Sequence, residues 1–110
     1  MTRIALAAAA GAAALALTAL TSAANAASFN CYGGLSYTEA AVCDNQWLSH
    51  LDTVMADKYF TKLNERYGWR REQLRNQQIN WLYSRNDCAA NVQCLTQKYN
   101  SRIWQLESTY

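Results

Sequence analysis

Between residues 74 and 106 apolar side chains return every three or four positions, with polar side chains threaded among them. Leu74, Gln78, Trp81, Leu82 and Arg85 share one side of a helix predicted over about 70–86, and Leu95, Tyr99, Ile103 and Leu106 form the apolar face of another that starts near Val92. Upstream, Leu48, Leu51, Met55 and Tyr59, flanked by Trp47 and Leu63, keep the same spacing. Asp44 or Asn45 can cap that helix and Gly68 offers its C-terminal stop. Ser36 with Glu39 makes a capping-box pattern, which predicts a short helix of about two turns ending near Cys43. No proline occurs anywhere, and after residue 26 only Gly33, Gly34 and Gly68 punctuate the chain. No period-2 stretch competes. Short connections at Gly68 and between Cys88 and Cys94 place consecutive long helices antiparallel. The expected fold is therefore all-α, a small antiparallel bundle of three long helices plus a short N-terminal one.

The first 26 residues stand apart from this pattern. Arg3 supplies a positive start, residues 4–20 are alanine-rich and weakly hydrophobic, and Ala24, Asn25 and Ala26 provide the small residues of a cleavage point. A membrane anchor would need a similar length but also flanking charges, which are missing. Residues 1–26 are therefore expected to be a signal peptide cleaved after Ala26. Ser28, Phe29 and Asn30 before Cys31 do not resemble the approach to a lipidated cysteine, so a soluble exported domain over residues 27–110, periplasmic or secreted, is the expectation.

A domain of that size obtains only a few kcal/mol from its core and relies on staples. Cys31, Cys43, Cys88 and Cys94 all fall after the leader, and an even count in an exported chain reads as two disulfides. Three pairings are open to four cysteines. Proximity favours Cys31 with Cys43 and Cys88 with Cys94, each short loop contributing on the order of 2–3 kcal/mol. A zinc site would bring its thiolates in closer pairs than these. The whole chain carries 10 basic and 8 acidic residues, and loss of Arg3 leaves it nearly balanced. Such a charge creates no field for nucleic acid or a membrane surface. Arg66, Arg70, Arg71 and Arg75 cluster, but Glu65 and Glu72 among them read as a solvated helix face.

Catalytic constellations are absent from the pattern. His50 is the only histidine, and Ser49 beside it points about 100° away on a helix, so the two cannot act together. Scattered carboxylates show no paired arrangement, and no glycine-rich phosphate loop or metal-ligand run exists. Neither cofactor nor metal is expected. The polar residues inside the stripes predict a buried or half-buried Asp52–Arg85 pair with Gln78 nearby, whose role is to fix helix register rather than to touch a ligand. Trp47, Trp69, Trp81 and Trp104 read mostly as core, yet Ile79, Tyr83 and Trp104 lie off the stripes and Trp69 follows Gly68 in a turn. Left exposed, such side chains are partner-binding anchors.

The ordered set Cys31, Glu39, Cys43, Leu48, Leu51, Asp52, Tyr59, Gln78, Trp81, Leu82, Arg85, Cys88, Cys94, Leu95, Tyr99, Arg102, Ile103 and Leu106 resembles the LprI-like family of lysozyme inhibitors, over nearly the whole region after the leader. That resemblance implies an exported, helical, cysteine-paired binding protein, not an enzyme, whose protein partner is a lysozyme-type muramidase. Blocking of a muramidase cleft would fall to Tyr32, Gly33 and Gly34, or to the turn over 87–91 with Asp87 and Asn91. The alternative is a structural or adaptor protein of the cell envelope that docks another exported protein through Ile79, Tyr83 and Trp104. The pattern assigns no oligomeric state.

Overall fold

Ser36 is the first residue to commit the chain to a helix. Its hydroxyl accepts from the Glu39 amide at 3.1 Å while Glu39 Oε1 accepts from the Ser36 amide at 3.0 Å, a reciprocal cap that opens α1 (Tyr37–Asp44). In the computed structural model, residues 27–108 are described; the signal peptide expected over 1–26 lies outside them, as do residues 109 and 110. Asn45, not Asp44, then serves two helices at once. Its amide donates to Ala41 O at 3.1 Å, closing α1, and its side chain accepts from Leu48 N at 3.0 Å, opening α2 (Gln46–Glu65).

Gly68 does not stop α2 as expected. The helix ends at Glu65, Arg66 and Tyr67 are extended, and Gly68, at φ +57°, is instead the first residue of α3 (Gly68–Asn86). The reason lies in the side chains available: Tyr67 makes no cap hydrogen bond, while the Arg71 guanidinium reaches back to Leu63 O and satisfies the end of α2 from the next helix. The left-handed glycine turns the chain so that α3 can fold back.

A second tight turn follows Asn86. Asp87 N–H bonds Tyr83 O and Ser84 O at 3.2 and 3.3 Å, and Ala89 adopts φ +51°. Asn91 then accepts from the Cys94 amide at 2.9 Å, capping α4 (Val92–Ser108). All four cysteines are oxidised. Cys31 joins Cys43 across 12 positions and Cys88 joins Cys94 across 6, the proximal pairing.

Cross-helix contacts read out the topology directly. Leu63 meets Arg71, Met55 meets Gln78, and Asp52 and Arg85 approach a common partner, so α2 and α3 run antiparallel. Gln78 meets Arg102 and Trp81 meets Lys98, so α3 and α4 are antiparallel too. Lys58 with Glu107 and Asp52 with Tyr99 show α2 and α4 side by side and parallel. The fold is an all-α bundle of three long helices with short α1 held on α2, as the periodicity predicted. Its core runs through Val42, Leu48, Leu51, Met55, Leu63, Leu74, Trp81, Leu95, Tyr99 and Leu106. Ser49 is small enough to let α1 and α2 close together, and its buried hydroxyl donates to Val42 O at 2.6 Å. Among the described residues no helix is long and apolar enough to cross a membrane.

Ala89 is the described non-glycine residue with a left-handed backbone, a conformation in which its methyl group is disfavoured. Ala89→Gly is expected to stabilise the domain by about 1 kcal/mol, raising Tm by roughly 4–8 °C in thermal unfolding. An unchanged or lower Tm would show that the turn is not strained.

Candidate functional site

Three helices and the N-terminal segment converge on one carboxylate. Asp52, on α2, is 1% exposed; its Oδ1 accepts from the Tyr99 hydroxyl of α4 at 2.7 Å, and its Oδ2 accepts from the Ser28 amide at 2.7 Å. The Tyr99 oxygen in turn accepts from Arg85 Nη1 of α3 at 3.2 Å. The expected direct Asp52–Arg85 pair is thus replaced by a relay through Tyr99, whose hydroxyl bonds both side chains. Arg85 also donates from Nε and Nη2 to Asn86 Oδ1, at 3.2 and 2.9 Å, and lies 5.9 Å from the Trp81 ring centre. Burial and the neighbouring Asp52 carboxylate push the Tyr99 hydroxyl well above its ordinary range, against the smaller pull of Arg85. Tyr99 is therefore a neutral donor.

Gln78 belongs to a different network from the one expected. Its amide nitrogen donates to Met55 Sδ at 3.2 Å and its oxygen accepts from Arg102 Nε at 2.9 Å. Arg102 donates again to Gln105 at 3.3 Å, while its buried Nη2 has no hydrogen-bond partner among the described residues. Burial lowers the pKa of this guanidinium, with Tyr59 opposing the shift. Arginine nonetheless stays charged, so this buried cation complements the bundle at its second polar layer.

The off-stripe candidates do not form one surface. Trp104 lies with Gln77, Asn80 and Gln105 along a groove of about 560 Å³ between α3 and α4. Ile79 instead lines a groove of about 530 Å³ between α2 and α3, with Met55, Phe60 and Leu82. Tyr83 and Trp104 are 69% and 67% exposed, whereas Ile79 is 47% exposed. Tyr67 and Trp69, at the α2–α3 turn, are likewise exposed, and Phe60 and Tyr67 carried no signal in the stripe pattern. His50 is exposed and stacks on Trp47 with ring centres 5.4 Å apart, while Ser49 points inward. The two neighbours face different environments, as their helical phase required.

One loop candidate, the turn over 87–91, is tied to α1. Thr38, buried at the start of α1, donates to Ala89 O at 2.7 Å and approaches Asn86 O at 3.4 Å. This ties the start of α1, four residues after Gly34, to the turn over 87–91. Gly33 and Gly34 have φ +65° and +54°, and Tyr32 is exposed beside them. Asn91 is occupied by its capping role, leaving Asp87 as the freer polar side chain of the turn.

Among the described residues, no group of three or more His, Cys, Asp or Glu side chains converges as metal ligands. The chain matches no family model, no curated protein and no solved structure. What pattern reasoning missed is the hydroxyl of Tyr99, the Arg102–Gln78 layer and the Ser28 amide. Tyr99 and Arg102 sit three apart on α4, a spacing that carried the signal; the Ser28 amide had none.

Tyr99→Phe removes the donor to Asp52 and the acceptor for Arg85 while keeping the ring, and is expected to cost about 1–3 kcal/mol in urea unfolding. A cost near zero would show that the relay does not hold the helices. Because the folded pKa of Tyr99 lies above its ordinary value of 10.0, its contribution is complete below pH 10 and is lost as pH rises further. Absorbance titration at 295 nm should show one tyrosine that ionises only when the fold opens.

Proposed function

We propose that this chain is a non-catalytic exported binding protein whose partner is another protein, with a lysozyme-type muramidase as the leading candidate. The observation that supports this most directly is the tethering of two loops, Tyr32, Gly33 and Gly34 and the turn over 87–91. Thr38, at the start of α1, ties that helix to the turn by hydrogen bonds to Ala89 O and Asn86 O, and a disulfide stands beside each loop, Cys31–Cys43 for the first and Cys88–Cys94 for the second. A loop already held in place by a disulfide loses little conformational entropy on entering a cleft, which is the requirement for a plug-type inhibitor. Exposed Tyr32 supplies an aromatic anchor there. The family resemblance carried by the cysteines, Asp52, Gln78, Trp81, Arg85 and Tyr99 points the same way, but those residues form core and staples, so the contact falls to the loops they hold.

Purified residues 27–110, added at micromolar concentration to several lysozymes, are expected to slow cell-wall lysis, and Tyr32→Ser is expected to weaken the effect at least tenfold without changing Tm. No slowing with any muramidase would reject the inhibitor reading.

A second reading, an envelope adaptor, is favoured by a separate observation: Phe60 and Ile79 stay exposed along the groove between α2 and α3. In that case Ile79→Asp combined with Tyr83→Asp abolishes capture of an exported protein while Tyr32→Ser does not. Capture that survives the double variant counts against the adaptor.

A further inference from the structure

Asp52 is buried with two hydrogen-bond donors, yet among the described residues no cation touches its carboxylate; Arg85 reaches it only through Tyr99. A buried carboxylate without a contacting positive charge is costly. One of its two donors is the backbone of an irregular segment. Ser28 N lies 2.7 Å from Asp52 Oδ2, and Ala27 and Phe29, on either side, pack on the core. Nothing in residues 27–30 is helical, so this segment is held by the carboxylate, its packing and the nearby Cys31–Cys43 bridge.

The Ala27 nitrogen is the next backbone nitrogen before Ser28. Standard bond lengths place it under about 4 Å from Ser28 N, hence within about 7 Å of Asp52 Oδ2. We propose that Asp52 is the docking site for the chain's own processed N-terminus. Hydrolysis by an export peptidase adds water across the Ala26–Ala27 peptide bond; Ala26 leaves as a carboxylate and the Ala27 nitrogen becomes an ammonium. That ammonium supplies the missing cation and pins residues 27–29 at the rim of the groove between α2 and α3. Processing thus completes the bundle, and the unprocessed chain lacks the charge. The inference rests on the export reading of the proposed function but not on any muramidase.

Several titratable groups line the groove beside this segment. Asp52 of α2 and Glu39 of α1 favour the ammonium, Arg75 and Arg85 of α3 oppose it, and Tyr59 of α2 lies among them; Tyr99 of α4, on Asp52, is neutral. Asp52 holds the adjoining amide directly, so its effect dominates and the folded α-amino pKa lies above the ordinary value of about 7.7–8.0. A group raised in this way contributes its full stability below the unfolded pKa and loses it as pH rises through the folded one.

The test uses the chain beginning at Ala27, released from a fusion with no added residue. Nitrogen-15 NMR should show its α-amino group titrating at least one pH unit, or tenfold in proton affinity, above the ordinary range. Acetylation of that terminus should lower Tm at pH 7 by about 4–8 °C and have no effect at pH 11, while leaving Asp52→Asn unchanged at either pH. Should Asp52→Asn fail to fold, the acetylation comparison in the native sequence still decides. An ordinary α-amino pKa, or a Tm unaffected by acetylation at pH 7, overturns the docking. Mass spectrometry of the exported protein should give Ala27 as its first residue; any other terminus overturns the proposal through its premise, independently of the titration.

Discussion

The bundle depends on the need to satisfy one buried carboxylate. Asp52 sits at a core position of α2 where hydrocarbon would be the ordinary choice, and an unsatisfied charge there would cost more than the surrounding contacts return. Its two oxygens accept from α4 and from the N-terminal segment, and the tyrosine between carries the interaction on to α3. Hydrocarbon packing alone tolerates sliding of one helix past another. A carboxylate with two directional partners does not, so the register of three helices and the docking of the chain entrance follow from it.

Around that layer, economy of connection shapes the rest. Asn45 ends one helix and begins the next, and Gly68 turns the chain after only two linking residues, Arg66 and Tyr67. Such short links leave little slack, which is why Arg71 can reach back to Leu63 O and Thr38 can meet the turn at Ala89. The disulfides act on the same scale. Each closes a short local loop, so their effect is to hold the segment beside them rather than to tie distant parts together. The proposed binding role follows from this division: a polar layer that sets the scaffold, and tethered loops that the scaffold presents. Exposed Trp104 and Phe60 line two separate grooves, on either side of α3, so they offer distinct surfaces.

Helix number, boundaries and apolar faces were legible because apolar spacing and capping chemistry are local. Ser36 with Glu39, the stripes from Leu48 to Leu63 and from Leu74 to Arg85, and the short loops between cysteines each act within a few residues. Gly68 misled because a glycine's freedom to take positive φ serves the start of a back-folding helix as well as the end of the one before, and only the neighbouring caps distinguish these. The Asp52–Arg85 pair was legible as a meeting of helices but not as a contact, since a third helix placed Tyr99 between them. Likewise Ile79 of α3 and Trp104 of α4 were read together as off-stripe candidates, yet helix packing puts them in different grooves.

By itself, then, the sequence determined an all-α chain with four helices, their buried faces and the local pairing tendency of its cysteines, because hydrophobic period, capping and short-loop closure depend on near neighbours. Tertiary structure alone decided which polar groups met: Tyr99 between Asp52 and Arg85, Gln78 with Arg102 and Met55, Ser28 on Asp52, and Thr38 of α1 on the turn at Ala89. These partners are between 14 and 51 residues apart, and their meeting is set by how helices pack rather than by any spacing along the chain.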